Sequence, residues 1–233
     1  MVHAFLMIGQ SNMAGRGFLN EVPPIRDEGI KMLRNGRWQV MAEPINYDRP
    51  FAGIGLASSF ATAWRKQYPA EEIGLIPCAD GGSCLEEWMP GAALFDNAVA
   101  NARLAQRISR IDGILWHQGE NDCELERALR YRERFSQIIE SLRKELSLPE
   151  EPLIIGGLGE FLKDCTLHDY FVNAPVVDRA LLEFAEANEN CYYVTAAGLT
   201  SNPDHLHFNA VSLRRFGIRY FEAFDKRKNI LAS

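Results

Sequence analysis

No apolar run in this 233-residue sequence approaches the ~18 residues that a membrane-spanning helix needs. Residues Met1 to Met13 show neither a positive leader nor a cleavage-like segment ahead of the first predicted strand. No membrane partner is expected, and the expected location is cytoplasmic. A basic excess is missing too: 25 Lys and Arg stand against 31 Asp and Glu, for a net charge of −6. Proteins that grip a phosphate backbone carry a basic excess or a basic stripe, so nucleic acid is not an expected partner. The short basic cluster Lys226-Arg227-Lys228 ends a predicted helix and suits its carboxyl-terminal dipole. The five cysteines are odd in number and contain no C-x-x-C spacing, which fits reduced thiols better than a disulfide framework or a zinc site. With 18 glycines and 11 prolines, the chain is too poor in both to be disordered or collagen-like.

What is present is the composition of a globular protein: 47% hydrophobic and 24% charged residues. Short apolar runs at Ala4 to Ile8, Ile73 to Pro77, Ile111 to His117, Leu153 to Gly157 and Tyr192 to Thr195 read as strands. Their near-continuous apolar character, rather than alternation, predicts a parallel sheet covered on both faces. Between them lie helical stripes with apolar residues three and four apart. Ala57, Phe60, Ala61, Trp64 and Tyr68 form one, Phe135, Ile138, Ile139, Leu142 and Leu146 another, and Leu213, Phe216, Gly217, Tyr220 and Phe221 a third. Parallel strands need crossover helices, so the pattern predicts a three-layer α/β/α fold with a doubly wound five-stranded parallel sheet. The polar, weakly periodic stretch from Gly15 to Phe51 reads as a long excursion from that sheet. No linker or repeat divides residues 1–233, which are read as a single domain. A homo-oligomer stays open.

Open α/β sheets bind ligands outside the carboxyl ends of their strands. The segments expected there are Gly9 to Met13, Ala79 to Ser83, Gln118 to Asp122 and, much later, Asp204 to His207. Ser11, just past a buried strand in a Gly-rich turn, reads as a nucleophile for acyl transfer or as a helix cap. His207 could take the serine proton while Asp204, three residues earlier, holds its tautomer; alternatively Asp204 caps the last helix. A cation shared by Asp204, His205 and His207 is a third reading, but no other cluster with ligand spacing accompanies it. Neither a metal nor an organic cofactor is expected. Gly81 and Gly82 would let a backbone N–H approach a reacting oxygen closely, and Gln118 offers a side-chain amide from a neighbouring strand end. With the Ser11 N–H these make three donors for an oxyanion. Arg16 reads as a donor to a substrate carboxylate or sugar hydroxyls, or as a partner in a salt bridge with a carboxylate such as Glu120. Trp88 and Trp116 read as packing residues, and Asn12 and Asn121 as holders of their loops.

Four stretches together resemble the SGNH (GDSL-like) hydrolase superfamily, and within it the carbohydrate esterase and sialate O-acetylesterase group, related to acetylxylan esterases. They are GQSNMAGRG (Gly9 to Gly17), IGLIPCADGGS with LEEW (Ile73 to Trp88), LWHQGEND (Leu115 to Asp122) and DHLHFN (Asp204 to Asn209). The resemblance implies a flavodoxin-like SGNH fold and an acetyl-ester hydrolase with Ser11 as nucleophile, His207 as general base and Asp204 as its orienting acid. It also implies an oxyanion hole from the Ser11 N–H, a glycine N–H (Gly82, or Gly81) and the Gln118 side chain. Glu120 is a supporting residue in this reading, either bracing the loop or orienting His207 in place of Asp204. The expected substrate is a small acetylated sugar or oligosaccharide, such as an acetylated xylo-oligosaccharide or a sialic-acid-like sugar. A short-chain lipid ester or acyl thioester, and a non-catalytic carbohydrate-binding module, are the alternatives.

Overall fold

The computed structural model describes the main chain of residues 1–231 and the side chains of residues 1–226. Arg227 and Lys228 of the basic cluster therefore have side chains outside the described residues.

The central strand is β1 (Val2–Gly9), whose apolar core from Ala4 to Ile8 is at most 1% exposed. A run apolar on both faces is stable only when covered on both faces, and it takes the middle of the sheet. It pairs in parallel with β4 (Ile73–Pro77) on one side and β5 (Ser109–His117) on the other. Beyond β5 come β6 (Leu153–Gly156) and β7 (Cys191–Val194), also parallel.

The sheet has seven strands, not five. The two additional ones, β2 (Ile30–Arg34) and β3 (Arg37–Val40), lie inside the stretch read as an excursion. They form a hairpin across Asn35-Gly36, both residues at positive φ (52° and 72°), as a two-residue hairpin loop demands. β2 pairs in parallel with β4, and β3 is the antiparallel edge, so the order is β3-β2-β4-β1-β5-β6-β7. β3 is mostly exposed and carries Arg37 and Gln39, so it has no apolar run to betray it.

Helices α2 (Ala57–Gln67) and α6 (Ala210–Leu231) pack together, as do α4 (Leu125–Leu146) and α5 (Ala174–Ala187), with α3 (Ala93–Gln106) beside α4; α1 is a single turn at Ser11–Ala14. Consecutive strand residues point to opposite faces, and β5 displays it. Trp116 meets Phe135 of α4 at 4.9 Å, while His117 meets Phe216 of α6 at 5.5 Å. The three expected stripes fall on α2, α4 and α6, with Tyr68 just past the end of α2. Among the described residues, no helix is long and apolar enough to cross a membrane. After β4 the chain crosses β1 to reach β5, which places the carboxyl end of β1 at the switch point where α/β sheets open a crevice.

Candidate active site

Gly9 ends β1 at φ +132°, where a Cβ would stand 2.0 Å from the His117 carbonyl oxygen of the adjacent strand. Only glycine lets the chain leave the sheet this close to β5. The next turn is helical, and Ser11 is its first residue, not its cap. As the first helical residue, Ser11 presents an N–H with no partner inside the helix.

Its Oγ lies 3.0 Å from His207 Nε2, across 196 residues of chain. His207 comes from the turn opened by Asn202-Pro203-Asp204, in which His205 takes the left-handed conformation. Asp204 Oδ2 meets His207 Nδ1 at 2.7 Å, and Asp204 Oδ1 accepts the N–H groups of Leu206 (2.9 Å) and His207 (3.0 Å). Asp204 therefore does not cap the last helix. That task falls to Asn209, whose Oδ1 accepts the Ser212 N–H at 2.9 Å. Burial raises the Asp204 carboxyl, but the hydrogen bonds from His207 and Leu206 and the charge of His207 outweigh it and hold the group below the ordinary aspartate value. Among the described residues, no three His, Cys, Asp or Glu side chains gather as metal ligands.

The glycine pair after β4 is differentiated by its neighbours. The Gly81 N–H is taken by Asp48 Oδ2 at 2.9 Å, and a Cβ on Gly81 would collide with Arg16 and Asp48. Gly82, at φ +81°, faces open space, and among the described residues its N–H has no partner.

Gln118, expected as an oxyanion donor, is turned away from the site. It is fully buried; its Nε2 donates to Ser83 O (3.1 Å) and Asp122 Oδ2 (2.5 Å), and its Oε1 accepts from Tyr131 OH (2.8 Å). It has no surface on the cavity beside Ser11. The amides that do border that cavity are Gln10 and Asn121. Gln10 Oε1 accepts the N–H groups of Gly119 and Asn121 at 3.3 Å, and Asn121 Nδ2 donates to Gly82 O at 2.5 Å. Burial pushes Asp122, behind Gln118, up to about 6 against the opposing bonds from Gln118 and Leu85.

Glu120 does not touch His207. Its Oε1 accepts from Asn12 Nδ2 at 2.5 Å and meets His117 Nε2 at 3.2 Å. Burial opposes its charge, yet His117 and the Asn12 bond hold the carboxyl below its ordinary value. Arg16 pairs with Asp48, not Glu120, through Nη2 to Oδ2 at 2.5 Å and Nη1 to Oδ1 at 3.3 Å. Trp88 and Trp116 are core residues, edge to face at 5.9 Å.

Beside Ser11 lies a cavity of about 430 Å³. Ser11 and His207 border it together with Arg16, Arg49 and Phe51 from the first excursion and Leu167, Tyr170 and Phe171 from the segment after β6. Arg49 and the aromatic and aliphatic wall escaped the sequence reading, because they sit in loops without periodicity. The profile of the family described as "carbohydrate esterase, sialic acid-specific acetylesterase" matches residues 1–226. This chain belongs to that family. It is a carboxylic ester hydrolase of the carbohydrate acetylesterase kind. The esterase is 29% identical to a probable carbohydrate esterase of Arabidopsis thaliana, At4g34215, over 94% of this chain and 89% of the relative. The X-ray structure of that plant protein superimposes with a TM-score of 0.87 at 26% identity, covering 96% of this chain and 98% of that one. The crystal structure of NanS gives 0.77 at 17% identity with 98% of each chain covered. That of XAC1771, a carbohydrate acetylesterase from Xanthomonas citri, gives 0.70 at 18% over 95% of this chain and 55% of the other. These two likenesses speak for the fold, a three-layer α/β/α arrangement around a mostly parallel sheet.

Proposed function

We propose that this esterase removes O-acetyl groups from small acetylated carbohydrates by a two-step serine mechanism. The observation that carries the reading is the unbroken contact from Ser11 Oγ through His207 to Asp204 at the edge of the cavity. Ser11 Oγ attacks the acetyl carbonyl while His207 Nε2 takes the hydroxyl proton; Asp204 on Nδ1 fixes the tautomer and steadies the imidazolium. The carbonyl oxygen becomes an oxyanion, received by the Ser11 and Gly82 N–H groups with the Asn121 amide beside them. His207 then gives its proton to the departing sugar oxygen, and water, activated by the same imidazole, releases acetate. No step calls for a metal or an organic cofactor.

The cavity suits a sugar because its border mixes donors (Arg16, Arg49, Gln10, Asn121) with the apolar faces of Phe51, Tyr170 and Leu167. An acetylated xylo-oligosaccharide or sialic-acid-like sugar is the proposed substrate class, met in the cytoplasm, where five unpaired cysteines are at home. The same apolar faces favour one second reading, a short-chain lipid ester or acyl thioester.

Hydrolysis of p-nitrophenyl acetate and p-nitrophenyl octanoate by wild type and S11A, with and without EDTA, tests the proposal. An acetate preference lost in S11A and indifferent to EDTA is expected. Octanoate preference would favour the lipid reading, and a fully active S11A would sink the mechanism.

A further inference from the structure

Asn12 is the residue next to the nucleophile and takes no part in the acyl transfer itself. It is 1% exposed, and every polar atom of its amide is engaged. Its Oδ1 accepts the Phe208 N–H at 3.0 Å, and its Nδ2 donates to Leu206 O at 3.2 Å and to Glu120 Oε1 at 2.5 Å. Leu206 and Phe208 are the residues on either side of His207. One side chain, joined by a single peptide bond to Ser11, thus holds the main chain both before and after the proposed base.

We propose that Asn12 is a positioning residue that sets His207 Nε2 against Ser11 Oγ, and that Glu120 fixes the orientation of its amide. The inference rests on Ser11 and His207 being the catalytic pair. The loop needs such a hold. Residues 203–205 are exposed, and Asp204 is itself 45% exposed, so water competes for the bond that orients the imidazole. Asn202 anchors the loop at its start by donating its side-chain amide to Arg16 O at 2.9 Å, and its N–H closes the turn on His207 O at 2.7 Å, which holds the main chain without fixing where it sits against Ser11. The Asn12 bonds to Phe208 and Glu120 are buried and lie next to the reacting groups.

Glu120 supplies the orientation by chemistry alone. An ionised carboxylate accepts and cannot donate, so the Asn12 NH2 must face it, and the amide oxygen is left for the Phe208 N–H. Turned over, the amide would set oxygen against oxygen at Glu120 and nitrogen against N–H at Phe208.

The test exchanges the donor and the acceptor. N12D keeps the shape but faces Glu120 and Leu206 O with an oxygen. The double variant N12D/E120Q restores a donor between the two side chains from the other partner. With p-nitrophenyl acetate at a temperature where circular dichroism shows each variant folded, N12D is expected to lose about 10²-fold in kcat at a KM within about twofold of wild type, the scale of an ångström-sized misplacement. N12D/E120Q is expected to regain about tenfold of that loss. N12A, which removes the amide without adding an anion, reads the same point should N12D not fold. Folded N12D and N12A with wild-type kcat would overturn the proposal, and a loss that the exchange fails to repair would overturn the part given to Glu120. An S11A control separates the two levels: active S11A overturns the esterase mechanism, whereas inactive S11A beside unimpaired N12D overturns the positioning alone.

Discussion

Asp48 Oδ2 accepts the Gly81 N–H at 2.9 Å while the same oxygen pairs with Arg16 at 2.5 Å. One carboxylate thereby fixes the glycine turn after β4 and leaves the N–H of Gly82, the next residue, without a partner among the described residues. The pair is buried, with side-chain exposures of 6% for Arg16 and 2% for Asp48.

Removing one member of such a pair strands the other charge in a poorly solvating place. R16A is expected to lower stability by about 3–5 kcal/mol, the usual cost of an uncompensated buried charge. Urea denaturation at neutral pH measures it. A loss below about 1 kcal/mol would show the pair to be as weak as an exposed one.

Asp204 and Glu120 were both candidates to orient His207, and only Asp204 touches it. D204N removes the acceptor that holds the imidazole tautomer and is expected to cost about 10²-fold in kcat, the lower end of what acid–base catalysis contributes. E120Q, whose amide oxygen can still accept from Asn12, is expected to cost less than about tenfold. The reverse order in steady-state kinetics on p-nitrophenyl acetate would transfer the role to Glu120.

Asp122 makes a pH prediction about stability. Its folded value is about 6, raised by burial, whereas an unfolded aspartate titrates near ~3.9. Between these values the folded chain holds a proton that the unfolded chain has lost, so this group's contribution to stability falls as pH rises from about 4 to about 6. At ~1.4 kcal/mol per unit the fall is about 3 kcal/mol. Denaturation series across that range should show this downward component in wild type and lack it in D122N. Parallel curves for the two proteins would contradict it.

The five parallel strands and the segments proposed to react were legible because both depend on buried apolar runs and on the residues directly after each run. Ser11 and the Gly81-Gly82 turn come straight after such strands, and the Asp204-to-His207 offset is short enough for one turn. β3 escaped because an exposed edge strand has no apolar run, and β2 because Lys31 interrupts its buried Ile30, Met32 and Leu33, although Asn35-Gly36 is a hairpin signal in its own right. Gln118 misled for a different reason. Which way a side chain leaves the end of β5 depends on Tyr131, Ser83 and Asp122, three partners of which only Asp122 belongs to the same loop. Asp48 and Arg49 were hidden likewise: their partners, Arg16, Asp80 and Gly81, meet them only in three dimensions.

The distance along the chain between Ser11 and His207 has a practical side. The serine sits just past the central strand and the histidine just ahead of the closing helix, so any cut between them leaves each piece with half of the proposed reacting pair. The exposed stretch around Leu167 and His168 is a place where such a cut would fall at the surface. On the proposed mechanism neither piece alone is expected to cleave an ester, and activity is expected to return only as the pieces reassemble. Ester cleavage in this chain is thus a direct gauge of reassembly, one that a chromogenic acetate can follow in real time.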